Sequence, residues 1–590
     1  MPDLVRKTWG AELTSDDVAH FRLWAPDEQA VRLVLADVPH SMRALDSGWF
    51  EVSARARVGD RYWFELSDGT RVADPASRAQ PEGVSGPSML VDRSAYQWKA
   101  SSWRGRPWEE SIISELHVGC FTPEGTFRAA AERLPHLAQA GITAIEIMPV
   151  AEFQGERGWG YDGVLPYAPH HAYGTPDDLK ALVDAAHGLG MMVLLDVVYN
   201  HFGPEGNSLP RYASRFFNGD RPTPWGASIA FEEPAVRRFF IDNALYWLGD
   251  FRFDGLRLDA TDQIRDTSEP HFLAALTREV QETFADRNVH LVVEDADRRR
   301  NLVRRNEDGT IAFFTAGWND DFHHGLHVIA TGEERGFYRP FATRRWQATR
   351  EAMTDGFAST EAAKSARQQD DPVPPQARVS FLQNHDQIGN RAFGERLVSL
   401  ATPDQLRVMT AMLMLSPQIP LFFMGEEYGE SQPFLFFAHY AGELGEAVRR
   451  GRHGEAENFG GMPPGKTADD LPDPIDPQTF AASKLRWERA ASASGRTHVA
   501  FMRHLANIRQ RHIAPLMRQC KLPNFKLHPA PDGIVAIDWS FGGPLLELRT
   551  NLTSGKSPVP PIRGEPIFGG ETLDGSELPG PGIFAAVRSN

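Results

Sequence analysis

The sequence predicts an α/β protein built on a (β/α)8 TIM barrel, flanked by an N-terminal β-sandwich and a small C-terminal β-sandwich. Two observations carry this. Between residues 109 and 519, eight short apolar runs of parallel-sheet character alternate with amphipathic helical stretches, and no Gly-rich phosphate loop follows any run, which disfavours an open doubly wound sheet. Residues 1–108 and 520–590 instead carry short alternating runs separated by Gly-, Ser- and Pro-rich turns, the spacing of antiparallel sheets.

In the first region the runs are His20–Trp24, Val31–Leu35 and Arg61–Leu66, which predict a glycan-binding-like sandwich that packs on the next domain and shapes one wall of its cleft. The barrel strands are predicted at Ile112–Val118, Ile142–Met148, Met191–Val197, Gly255–Asp259, His290–Glu294, Ile311–Phe314, Arg378–Asn384 and Ile419–Phe423. Helices are predicted over Arg128–Ala140, from Thr175 to Gly190, and over Pro234–Gly249, Pro270–Ala285 and His498–Arg511. Thr175 caps its helix, with Pro176 at the first position and Asp177 and Asp178 in the first turn. Two polar stretches, 355–376 and 454–475, read as long surface loops.

A net charge of −16 argues against nucleic acid or anionic membrane as a partner. The longest apolar region, Val408–Met424, is interrupted by Ser416, Pro417, Gln418 and Pro420, and the N-terminal residues hold no apolar leader, so a cytoplasmic location is expected. Two cysteines are too few for a disulfide framework or a Cys-based zinc site.

The chemistry starts at Gly255-Leu256-Arg257-Leu258-Asp259, whose period of two puts the leucines on one face and Arg257 with Asp259 on the other. The arginine favours the ionised carboxylate, as a nucleophile requires. On this stretch alone, a nucleophile and a register-fixing ion pair stand level. In a barrel the active site lies at the C-terminal strand ends. Those ends carry Asp196 and His201, then Arg257 and Asp259, then Glu294, then His385 and Asp386. A metal-dependent hydrolase could use such a set, but no His-x-His pair ends the first strand, Glu115-Leu116-His117-Val118. Glycoside hydrolysis needs one ionised and one protonated carboxyl. Asp259 beside Arg257 suits the first role, and Glu294 after Leu291-Val292-Val293 suits the second.

Four segments, DVVYNH (196–201), GLRLD (255–259), Glu294 and NHD (384–386), resemble the signature regions of the α-amylase superfamily, in order and at the corresponding strands. ELHVGCFTPEGTF (115–127), GWGYDGVLPYAPHHAYG (158–174), NHFGPEGN (200–207) and TPWG (223–226) are similar to the maltooligosyltrehalose trehalohydrolase family within it. The resemblance implies Asp259 as nucleophile, Glu294 as acid/base and Asp386 as the carboxylate that holds ring hydroxyls. It implies that His201 and His385 bind hydroxyls, Arg257 orients Asp259, Asp196 braces the site, and Tyr161 stacks under the sugar. Trp225 and Asp262 fall on the leaving-group side, where a trehalose unit would be recognised. The implied substrate is a maltooligosyltrehalose or α-1,4-glucan, with a maltooligosyltrehalose synthase in the same pathway and no cofactor. Asn200 matches a calcium-binding residue of some α-amylases, but no Asp-rich loop accompanies it, so no essential metal is expected. Glu115, His117 and Glu146 are expected to be core polar groups satisfied by neighbours. Three other readings stay open: a glycogen branching enzyme, which passes the same intermediate to a glucan, a non-catalytic glycan-binding homologue, against which the complete carboxylate set argues, and a metal-dependent barrel hydrolase.

Overall fold

The structure is a computed structural model that describes residues 8–15, 17–356, 373–570 and 577–589. Its centre is a closed barrel of eight parallel strands: β1 (Ile113–Leu116), β2 (Ala144–Ile147), β3 (Met192–Val197), β4 (Gly255–Leu258), β5 (His290–Val293), β6 (Ala316–Asn319), β7 (Arg378–Phe381) and β8 (Ile419–Phe423). Closure is direct, because β8 pairs with β1 through Ile113 opposite Leu421.

The inward-facing residues fill the barrel. Ile113, Ala144, Met192, Leu194, Val292, Trp318, Val379, Phe381, Ile419 and Leu421 form one buried cluster, with Trp108 packed on it from just ahead of β1. The Trp108 indole N–H, which burial would otherwise leave unpartnered, donates to the Gln376 carbonyl at 2.8 Å. Leu256 and Leu258 face the outer core instead, and Asp196 lies opposite Arg257 in the β3–β4 register, so this pair enters the barrel from adjacent strands.

The expected sixth strand is displaced. Ile311 forms only an isolated bridge with Arg305, and β6 is Ala316-Gly317-Trp318-Asn319. These residues have little intrinsic strand preference, and it is pairing with β5 and β7 that makes them a strand. The seventh strand is also shorter than expected. It stops at Phe381, and Asn384 caps the short helix His385–Gly389, accepting from the amides of Asp386 and Gln387.

Thr126 and Thr175 cap the helices Phe127–Ala140 and Pro176–Gly188, the second with a full capping box. The last barrel helix starts earlier than predicted, at Ala493 behind an N-cap Ser492, and runs into a π-helical turn at Arg509–Ile513. The 454–475 stretch is not all loop, because the helix Gly442–Asn458 extends into it. Arg452 of that helix is buried and donates to the Gly389 carbonyl at 2.8 Å, which explains its order. Most of the other expected loop, residues 357–372, lies outside the described residues.

The N-terminal strands form two antiparallel sheets, ordered Glu12–Ser15, Val18–Trp24, Trp49–Arg55, Arg43–Ala44 and Val38–Ser41, Arg32–Leu35, Arg61–Glu65, Arg71–Val72. They dock on the helix Pro234–Asp250, where the Trp9 ring meets Phe239 edge-on at 4.9 Å and Arg93 pairs with Asp250. A five-stranded antiparallel sheet, led by Asn524–Leu527 and Ile534–Ser540, ends the chain. Among the described residues no helix is long and apolar enough to cross a membrane.

Asp254, one residue ahead of β4, ties the base of the barrel together. It accepts from the Trp103 indole at 2.7 Å, His187 Nε2 at 2.9 Å and the Val193 amide at 2.9 Å. Asp254→Ala would strand three buried polar groups and is expected to lower unfolding stability by about 3 kcal/mol, read as a reduced denaturation midpoint.

Candidate active site

The C-terminal ends of β3, β4, β5 and β7 bring their acids to one mouth, and a single buried guanidinium organises three of them. Arg257 Nη1 donates to Asp196 Oδ2 at 2.7 Å and Asp259 Oδ1 at 2.9 Å, while Nη2 donates to Glu294 Oε2 at 2.7 Å. The Trp318 ring lies 4.1 Å from the guanidinium carbon and supplies an apolar face. Arg257 is fully buried, and the acids around it hold its charge in place against that burial.

The acids differ in environment. Glu294 is pushed well above the ordinary carboxyl range, first by burial and then by the negative charge of Asp259, Asp386 and Asp320, against the pull of Arg257. Burial likewise lifts Asp196 to about 6, with Arg257 opposing and Asp259 adding. Asp259 is held at both oxygens: Arg257 reaches Oδ1, and Asn200 Nδ2 reaches Oδ2 at 2.9 Å and the Asp259 carbonyl at 2.8 Å. The side chains open stepwise toward the mouth, from 11% exposed at Asp259 to 26% at Glu294 and 34% at Asp386.

The backbone after β4 helps to place the acid. Ala260 sits at φ 38° and ψ 56°, a left-handed conformation that non-glycine residues seldom adopt. Its amide points at Glu294 Oε2, 3.1 Å away, and the next residue donates to the Glu294 carbonyl through its amide at 2.9 Å and its hydroxyl at 2.6 Å.

Tyr161 reaches the site from the hairpin after β2. Its hydroxyl donates to Asp196 at 2.6 Å, and its ring stacks on His385 with centroids 5.2 Å apart. Burial works against charge on His385, but Asp386 and Glu115 outweigh it and raise its pKa to about 10, so the ring is an imidazolium at neutral pH. Glu115 grips that residue twice, accepting from its Nδ1 and, at 3.0 Å, from its amide. His201 is kept neutral by burial despite Asp259 and Asp162, and it faces the Asn200 side-chain oxygen.

Of the residues expected from sequence, Asp196, Arg257, Asp259, Glu294, His385, Asp386, Tyr161 and His201 converge here. Trp225 joins at the rim, 51% exposed and stacked on His201 at 4.8 Å. Asp262 is less free, since Oδ1 accepts from the Ala296 amide at 3.2 Å and ties the loops after β4 and β5. Glu115 is satisfied, as expected, but by His385 at the barrel mouth. His117 Nε2 bonds the Gly158 carbonyl at 2.9 Å, while its Nδ1 has no partner. Glu146 departs from expectation. Neither of its buried oxygens has a hydrogen-bond partner, and burial beside Glu115 and Asp196 keeps it protonated. Sequence reasoning missed Asn200 as the second donor to Asp259, Trp318 as the face under Arg257, and Asp320, which accepts from Gln387 at 3.1 Å. A polar residue at the end of β6 was the available signal for Asp320, but that strand had been placed elsewhere.

A family model described as the alpha amylase catalytic domain matches residues 64–216. The malto-oligosyltrehalose trehalohydrolase of Deinococcus radiodurans is 41% identical over 489 residues, covering 81% of this chain and 78% of that protein. The one from Saccharolobus solfataricus is 36% identical and covers 92% of this chain and 95% of its own. A crystal structure of a Salmonella typhimurium protein, provisionally called an alpha amylase, superposes with a TM-score of 0.94 at 46% identity, over 99% of this chain and 100% of that one.

Two variants test the positioning contacts. Asn200→Ala frees one oxygen of Asp259 and is expected to cut kcat by about 100-fold with the fold intact by circular dichroism. Glu115→Gln removes a charge that raises the His385 pKa, so His385 should lose its proton at lower pH. The imidazole titration of His385 followed by NMR is then expected to move to lower pH.

Proposed function

The chain belongs to the malto-oligosyltrehalose trehalohydrolases of the α-amylase superfamily, and from that premise we propose that it hydrolyses the α-1,4-glucosidic bond next to the terminal trehalose of a maltooligosyltrehalose, releasing trehalose. The observation that carries the mechanism is the pairing of Asp259 and Glu294 on one guanidinium, with burial and neighbouring carboxylates raising the proton affinity of Glu294.

In this reading Asp259 attacks the anomeric carbon while Glu294, protonated at neutral pH, gives its proton to the departing oxygen. Glu294 is then the base that takes a proton from water as the glycosyl–Asp259 ester is hydrolysed. One guanidinium holds both carboxyls at the same mouth, as a retaining mechanism needs. Asp386 and the His385 imidazolium are suited to bind ring hydroxyls, and Tyr161 to lie against the sugar face. Trp225 offers an open aromatic surface for the leaving trehalose, and Asp262, on the loop after β4, is a further candidate on that side. Asp196 holds Arg257 and Tyr161 in place. None of these steps calls on a cofactor.

The substrate would come from a synthase that closes the reducing end of a maltooligosaccharide into trehalose. A cytoplasmic setting fits such a sugar chain and the two free cysteines, Cys120 and Cys520.

Incubation with maltooligosyltrehalose is expected to give free trehalose and a shortened maltooligosaccharide. New α-1,6 branches from amylose would mark a glucan transferase instead. Proton NMR should show the α-anomer first at the new reducing end, and an initial β-anomer would overturn retention. Asp259→Ala and Glu294→Gln are each expected to lower kcat by roughly 10³-fold or more without loss of fold.

A further inference from the structure

A second cluster of ionisable groups lies on the hairpin that follows β2. Glu152 is on its first strand, Ala151–Phe153, and His170 and His171 follow its second, Gly163–Pro169. Glu152 and His170 are fully buried, whereas the His171 side chain is 26% exposed. His171 fixes the carboxylate twice, its amide donating to Oε2 at 2.9 Å and its Nδ1 lying 2.7 Å from Oε1. His170 Nδ1 lies 3.2 Å from the same Oε1 but off line, so neither nitrogen of this buried ring has a hydrogen-bond partner. The ring is nonetheless held firmly, stacked on Phe153 with centroids 3.7 Å apart and planes 18° from parallel.

One carboxylate oxygen is thus asked to serve two imidazoles and satisfies one. A cation between them would use all three groups. One ligand atom from each of Glu152, His170 and His171 falls within 4.8 Å of the others. Two imidazole nitrogens and a carboxylate oxygen at metal distances of about 2.0–2.2 Å form a common zinc ligand set with a fourth position left for water.

We propose that Glu152, His170 and His171 bind one dication of the zinc class, which fastens together the two ends of the hairpin that carries Tyr161. The ion would act on the hairpin and take no part in the carboxylate chemistry.

The test uses the full-length protein, stripped with EDTA and titrated with cobalt(II) chloride. One equivalent per chain should develop visible d–d bands, zinc chloride should displace it, and either ion should raise the melting midpoint. His171→Ala, at a partly exposed position the fold should tolerate, is expected to weaken binding by about tenfold or more and remove the melting shift. Glu152→Gln is expected to do the same. No visible bands in the stripped wild-type protein would overturn the proposal. So would wild-type affinity and stoichiometry in a folded His171→Ala variant.

Discussion

The site depends on one buried positive charge. Arg257 has no access to water, so its charge is tolerable only while Asp196, Asp259 and Glu294 surround it and Trp318 covers its face. The demand runs the other way as well, because three acids at one end of a barrel would repel each other without it. The arginine therefore fixes three strands relative to one another while it sets the chemistry. It donates to Asp259 and Glu294 alike, but at Glu294 burial and three further carboxylates outweigh it and raise the pKa.

Much of this arrangement could be read from sequence because it is local. The alternation through Leu256-Arg257-Leu258-Asp259 defines which side chains point inward, and barrel geometry then sends the ends of β3, β5 and β7 to the same mouth. What escaped is what only closure creates. Glu115 and His385 are 270 residues apart and meet because β8 seals against β1. Strand β6 has no strand-like composition and exists through its neighbours, so Trp318 and Asp320 could not be placed. Asn200 serves Asp259 through the turn after β3, a conformation no periodicity encodes. Glu146 defeated a general expectation, since a buried acid usually finds a partner and this one is accommodated by keeping its proton.

The loops divide the labour. Those after β4 and β5 are stitched to each other, through Ala260, Thr261 and Asp262, and hold Glu294 in place. The hairpin after β2 brings Tyr161, and the helix Gly442–Asn458 reaches across to the segment that carries Asp386. The residues that touch sugar in the proposed mechanism thus rest on separate supports that converge on a common floor.

That floor is closed. Among the described residues the barrel interior is packed and Trp108 sits at its base, so a substrate would come and go at the mouth formed by the C-terminal strand ends. In the proposed mechanism, water for the second half of the reaction would come in where the first product goes out. Trehalose departure would then act as a turnstile: while the disaccharide lingered beside Trp225, the glycosyl–Asp259 ester would be shielded from water and face the molecule it was just cut from. How readily that rim let go would decide how often the bond is remade instead of hydrolysed.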